Sequence, residues 1–384
     1  MDMTFLHLLI LAAPLAAALL NFASLFAGDR WLTWRAVQRL TVGATLVAFV
    51  AALAVFASLL ANPVPQHTVL YEWLAVDGKS VRIGLLFDSL SALMAVLVTG
   101  FGFIIGRFSI NYMHREQGFT RYFAAYALFV FSMLLLVLGD NYVMLFMGWE
   151  AVGVCSYLLI GQYNDRPSAA RAATEAFIAN RVGDAAFIVG LMVLFIEFGG
   201  VDYAHVAKQV GTVDAWAVNL VAVCLLLGAV GKSAQLPLGS WLAKAMEGPT
   251  PSSALIHAAT MVTAGVYLLV RAQDLYAAAP NVMLLVALVG AATALYGALV
   301  GQTVADIKGL LATSTTTQLG LMFLACGLGA YGVAMFHLVA HAFYKSYLFL
   351  TAPSILHHLH GRLDPARTEA VAEAPSLLTT ITVV

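Results

Sequence analysis

Eleven stretches of about 17–25 predominantly apolar residues follow one another along this 384-residue chain, and their length is what most limits the fold. A helix rises ~1.5 Å per residue, so each stretch is long enough to cross the ~30 Å hydrocarbon core of a bilayer. They fall near 5–27, 39–61, 84–106, 122–138, 141–161, 174–198, 216–237, 252–270, 282–302, 308–329 and 331–353. In hydrocarbon the backbone must satisfy its own hydrogen bonds, which selects helices for runs of this kind. The expected fold class is an all-α polytopic membrane protein with about 11 transmembrane helices. Three regions follow: N-terminal helices over 1–80, a helical domain over 81–353, and a polar tail or the start of a further helix over 354–384.

Composition agrees. Hydrophobic residues make up 61% of the chain and charged residues 10%, whereas soluble domains carry about 25% charged residues. A net charge of −1 gives no reason to expect nucleic acid as a partner; the lipid bilayer is the expected one. Cys155, Cys224 and Cys326 lie far apart inside apolar stretches and read as packing residues. The stretch after Phe5 lacks a basic leader and is long enough to span, so it reads as the first helix rather than a cleaved signal.

Basic residues orient the bundle. With the N-terminus outside, twelve fall in inner segments, Arg30, Arg115, Arg362 and Arg367 among them, against four outside: Lys79, Arg82, Lys208 and Arg271. The positive-inside rule therefore predicts an outer N-terminus and a cytoplasmic C-terminal tail, in a bacterial inner membrane. Arg181, Lys232 and Lys345 are left over, and all three fall within spans.

A charge near the bilayer centre costs several kcal/mol at least, so it must be paired, neutralised or hydrated. The intramembrane polar set is Glu150, Arg181, Asp184, Lys232, His257, His337, His341 and Lys345. Arg181 and Asp184 are three apart and share a helix face, which fits an internal salt bridge as well as a functional pair. His257, taken alone, reads better as a satisfied core histidine. His337, His341 and Lys345 recur every four residues and form one stripe. A histidine pair at that spacing can ligate zinc, but "HLVAH" lacks the metalloprotease glutamate and a third ligand, so no metal site is expected. Nor is there a nucleotide loop or cysteine cluster, so no cofactor and no redox chemistry are expected in this chain. Taken together, carboxylate, lysine and histidines read as a proton relay, because histidine passes protons readily near neutral pH. After Lys232 come Pro237, Pro249 and Pro251, which cannot continue an ordinary helix. A broken helix there is expected to line a cavity.

"MGWEAVGVCSYLLIG", "IANRVGDAAF", "GAVGKSAQLPLGSWLAKAMEGPTPSSALIHAATMVTAGVYLL" and "HLVAHAFYKSYLFL" resemble the antiporter-like subunit L of proton-pumping NADH-quinone oxidoreductase (respiratory complex I) and the related Mrp-type antiporter subunits. The likeness runs from about residue 80 to 353. It implies inverted five-helix repeats, each with a broken helix. It also implies a Glu150–Lys232 ion pair tuned by Arg181 and Asp184, with His257 and Lys345 on a central polar axis. It further implies a translocase subunit whose partners are the other membrane subunits of a multisubunit complex. Members of the family continue past this point with a second broken helix, whereas "APSLLTTITVV" ends the sequence; a shortened or divergent chain is expected, with a partner completing the outer half-channel. The alternative is the membrane subunit of an Mrp-type cation/proton antiporter, or of a two-component inorganic-carbon uptake system that pairs with a large soluble zinc protein.

Overall fold

A computed structural model describes residues 3–27, 32–76, 79–114 and 116–363, with side chains described as far as residue 352. Eleven of its helical segments are long and apolar enough to cross a membrane. The bundle opens with α1 (Met3–Ala27) and α2 (Trp34–Ala61), followed by an antiparallel hairpin, β1 (Gln66–Val76) and β2 (Lys79–Phe87). Then come α3 (Ser89–Tyr112), α4 (Phe119–Leu138), α5 (Tyr142–Ile160), α6 (Pro167–Glu197), the short α7 (Tyr203–Gln209) and α8 (Ala215–Lys232). Next are α9 (Trp241–Lys244), α10 (Thr250–Ala258), α11 (Ala264–Arg271), α12 (Gln273–Ala277), α13 (Pro280–Gly301), α14 (Ile307–Gly327) and α15 (Tyr331–Leu363).

The hairpin changes one sequence expectation. The third span begins at Ser89, not near residue 84, because residues 79–87 pair with β1. Asp88 then caps α3, its side chain accepting from the Ser91 N–H while the Ser91 hydroxyl accepts from the Asp88 N–H. The last helix runs on to Leu363, past the expected end of the final span. Arg30, Arg115, Arg367 and the rest of the expected tail lie outside the described residues.

The expected break after Lys232 is present, and a second one faces it. α8 ends at Lys232, and an irregular stretch leads to α9. The eighth span is interrupted between α10 and α11, just after His257. Backbone groups freed at such breaks must be satisfied by protein. Ser233, which follows Lys232 at the first break, meets that need at the second, its hydroxyl donating to the Val262 carbonyl (2.7 Å) and accepting from the Gly265 N–H (3.1 Å). A Cβ on Gly265 would overlap the Ser233 hydroxyl, so only glycine lets the two broken helices meet. The Trp241 indole donates to the Gly231 carbonyl at 3.1 Å, and Thr293 receives the Leu236 N–H at 3.0 Å. Pro251 lies in the first turn of α10, where a missing N–H costs nothing; it starts a helix rather than breaking one.

Small residues bring α13 and α14 into backbone contact. Cβ atoms added at Gly290 or Gly320 would run into the backbone of the facing helix. At the hairpin end of the bundle, Asp88 forms an ion pair with Arg271, and the Arg271 Nη2 also donates to the Tyr267 hydroxyl at 3.0 Å. Burial alone would raise the Asp88 carboxyl, but its hydrogen bonds and attraction to Arg271 outweigh that and hold it below the usual aspartate range. The stability this lends is complete above the unfolded value near 3.8 and is lost as pH falls through the lower folded value. Asp88→Asn keeps a good cap but leaves Arg271, only 8% exposed, without its counter-charge. It should therefore cost about 3 kcal/mol. Thermal unfolding in detergent should show a lower midpoint for the variant at neutral pH, with the gap to wild type closing in acid.

Candidate functional site

The site is assembled from α5, α6 and the broken end of α8. α5 and α6 pack together, and α6 lies along α8. Trp149 faces inward, and its indole donates to Asp184 Oδ1 at 2.7 Å. Lys232, the last residue of α8, is fully buried. Its ammonium donates to the Trp149 carbonyl at 3.0 Å and lies 4.0 Å from Asp184 Oδ2. The amine also sits 5.3 Å from the centre of the Trp149 ring, close enough for a cation–π contribution. One turn along α5, a Cβ at Gly153 would lie 3.2 Å from the amine, so glycine keeps its berth open.

Glu150 forms an ion pair with Arg181, and Arg181 Nη1 lies 3.7 Å from Asp184 Oδ2. The charges thus run in one line: Glu150, Arg181, Asp184, Lys232. The expected direct Glu150–Lys232 pair is not what the structure holds. Successive residues of a helix point about 100° apart. Trp149 turns its ring and carbonyl toward Lys232, and Glu150 turns toward α6 instead. Asp184 is the carboxylate that reaches the lysine, a bigger role than the sequence suggested.

The second group lies beyond the breaks. His257, at the end of α10, is fully buried, and neither ring nitrogen has a hydrogen-bond partner among the described residues. His341 Nε2 is 3.2 Å from the His257 carbonyl oxygen. His337 pairs with the Gln318 side chain at 2.7 Å. The buried Lys345 donates to the Leu311 carbonyl and the Ser314 hydroxyl, each at 2.8 Å. α15 therefore carries the histidine–lysine stripe; α14 supplies the partners of His337 and Lys345, and α10 that of His341. Of the three prolines expected at the break, Pro237 lies in the irregular stretch next to the site, and Pro249 and Pro251 mark the entry to α10. No hydrogen bond among the described residues joins Lys232 to His257. No group of three possible metal-ligating side chains occurs among them either.

Trp149, Gly153, Ser314 and Gln318 were not singled out from the sequence. The polar run "TSTTTQ" inside an otherwise apolar span was the available signal for the last two.

Residues 139–383 match the family described as NADH:quinone oxidoreductase/Mrp antiporter, transmembrane, and residues 73–123 match the N-terminus of NADH-ubiquinone oxidoreductase (complex I) chain 5. The chain belongs to this family. It is 45% identical over 364 residues to NADH-quinone oxidoreductase subunit L of Mycobacterium tuberculosis, covering 94% of this chain and 57% of that one. It is 48% identical over 296 residues to subunit L of Pseudomonas aeruginosa, covering 76% and 48%. The chain spans about half the length of the curated relatives it matches. A chain of the Mrp complex of Dietzia sp. DQ12-45-1b superimposes with a TM-score of 0.79 at 30% identity, covering 90% of this chain and 37% of that one. The membrane-bound sulfane sulfur reductase, an archaeal respiratory complex, shares the fold at a TM-score of 0.80 and 20% identity, covering 91% and 70%.

Proposed function

We propose that this chain carries protons across a membrane as an antiporter-like subunit of an NADH-quinone oxidoreductase-type complex, with Asp184 acting as a switch between Arg181 and Lys232. The observation that supports this best is the unbroken line of alternating charge from Glu150 to Lys232, ending at a broken helix. While Glu150 engages Arg181, Asp184 is left to hold the Lys232 ammonium. If Arg181 swings onto Asp184, the lysine loses its counter-charge. At an effective dielectric of ~20, two charges ~4 Å apart attract by about 4 kcal/mol, ample to govern whether the amine keeps its proton. The released proton passes toward His257, whose unpartnered ring nitrogens call for water in the working protein, since buried polar groups find partners. His341, His337 and Lys345 carry the path onward along α15.

The surroundings of Arg181 support a multisubunit setting. Its side chain is 35% exposed on a helix whose outward residues include Ile178, Val182 and Met192. A guanidinium facing lipid at that depth is costly, so another protein subunit is the better cover. The likeness to the Dietzia Mrp complex supports a second reading, a cation/proton antiporter subunit built on the same site.

Proton movement by the complex in vesicles, read with a pH-sensitive dye, tests the switch. Lys232→Ala should abolish it while the complex still assembles. Asp184→Asn should reduce it at least ~10-fold, the equivalent of 1.4 kcal/mol, and no less than Glu150→Gln does. Glu150→Asp should be milder, because the charge remains. Transport at the wild-type level in Lys232→Ala or Asp184→Asn would remove the switch from the mechanism. Dependence of transport on external sodium would favour the antiporter reading.

Orientation is read separately, with thiol labelling of intact cells. Glu116→Cys should label only after the inner face is opened, and Gly211→Cys should label from outside. The reverse pattern would invert the bundle.

A further inference from the structure

The hairpin end of the bundle holds a cavity of about 680 Å³ that takes no part in the relay. Its wall includes two aspartates whose backbones are tied together. Asn141 and Asp202 form an isolated antiparallel bridge, and the Tyr142 N–H donates to the Val201 carbonyl at 3.1 Å. Asp202 is thus one end of the bridge, and Asp140 precedes the other. The Asp140 N–H donates to the Gly84 carbonyl at 3.2 Å, and its carboxylate lies over Gly84, where a Cβ would overlap Oδ2. Asn141 Nδ2 donates to the other oxygen at 2.7 Å.

Asp202 stands at the N-cap position of α7, yet its side chain does not cap the helix. Its Oδ1 is buried and has no partner among the described residues. The neighbouring Tyr203 lines the same cavity and is only 9% exposed, and its hydroxyl is likewise buried without a partner. Polar atoms left in this state point to a ligand that donates or accepts there.

We propose that Asp140 and Asp202 form a proton-binding site, with one proton held between the two carboxyls. Two carboxylates on backbone-bridged segments that line one cavity cannot both ionise cheaply. Burial, and next the Asp202 charge, raise the Asp140 carboxyl above the usual range; the Asn141 hydrogen bond, and more weakly His67, act against them. Among the described residues no ion pair joins a cation to Asp140 or Asp202. Arg271 is taken by Asp88, and Arg82, His205 and Lys208 line the wall together with the further carboxylate of Asp274. A shared proton gives the carboxyls a donor, and the Tyr203 hydroxyl offers a second one at the same wall. The site does not depend on the relay described above, and it can be read with no transport at all.

Infrared difference spectroscopy of the purified protein in lipid nanodiscs, titrated with acid, tests this. At pH 6, where an ordinary aspartate with a pKa of ~3.9 is almost wholly ionised, wild type should show a protonated-carboxyl carbonyl band. Asp140→Asn and Asp202→Asn should each remove it, and Asp165→Asn, on the exposed segment after α5, should leave it. Gly84→Ala, which displaces the Asp140 carboxylate without changing any charge, should shift its titration and serves if either asparagine variant misfolds. A band that survives both asparagine substitutions, or no such band in wild type, overturns the proposal. Loss of the wild-type band on adding sodium at constant pH also overturns it, by assigning the pair to a metal cation.

Discussion

Lys232 is wholly shielded from bulk solvent in this fold, so whatever holds its ammonium sets the terms for the rest of the bundle. Desolvating a lysine costs several kcal/mol, and only a nearby opposite charge and good hydrogen bonds offset that. Asp184 is the charge, at 4.0 Å, and the Trp149 carbonyl is the acceptor, at 3.0 Å. The indole of Trp149 in turn holds the other oxygen of Asp184. One residue of α5 thus fixes both members of the pair, through its backbone on one side and its ring on the other. That leaves Arg181 between two carboxylates. It touches Glu150 and stands 3.7 Å from Asp184, so a modest side-chain movement exchanges one carboxylate for the other.

Much of this was legible in the sequence because hydrocarbon is a demanding solvent. Span length and apolar composition placed eleven helices, and the prolines after Lys232 announced a break. Charges inside spans named nearly all of the polar set, since few other reasons put them there. Pairing was harder to read. Glu150 and Lys232 look like natural partners on paper, but which of two adjacent residues on α5 faces α8 is decided by helix rotation. The moment of so uniformly apolar a helix gives little hint of it. The indole hydrogen bond that makes Asp184 the lysine's neighbour leaves no spacing pattern at all.

The hairpin was missed for a related reason. Residues 66–87 follow a polar stretch with Pro63 and Pro65, and the apolar end of β2 merges with the start of α3. Hydropathy alone cannot separate a buried strand from the first turn of a spanning helix. The capping box at Asp88 was the signal that could have moved the boundary, with aspartate and serine three residues apart ahead of an apolar run.

The second break, after His257, gives the two polar groups a mechanical connection that hydrogen bonds between them do not. Ser233 follows Lys232 directly, and its hydroxyl is bound at once to the Val262 carbonyl and the Gly265 N–H. Any shift of the α8 end that accompanies a change of charge at Lys232 must therefore move or break contacts in the eighth span. That span is wholly buried, so it has little room to absorb the motion elsewhere. The point where it can yield is the irregular turn around Thr260, three residues from the unpartnered ring of His257. A charge event at Lys232 would thus be felt at His257 as a change of position. Two broken helices pinned at one serine are better suited to this than continuous ones, whose intact hydrogen-bond ladders resist such local displacement.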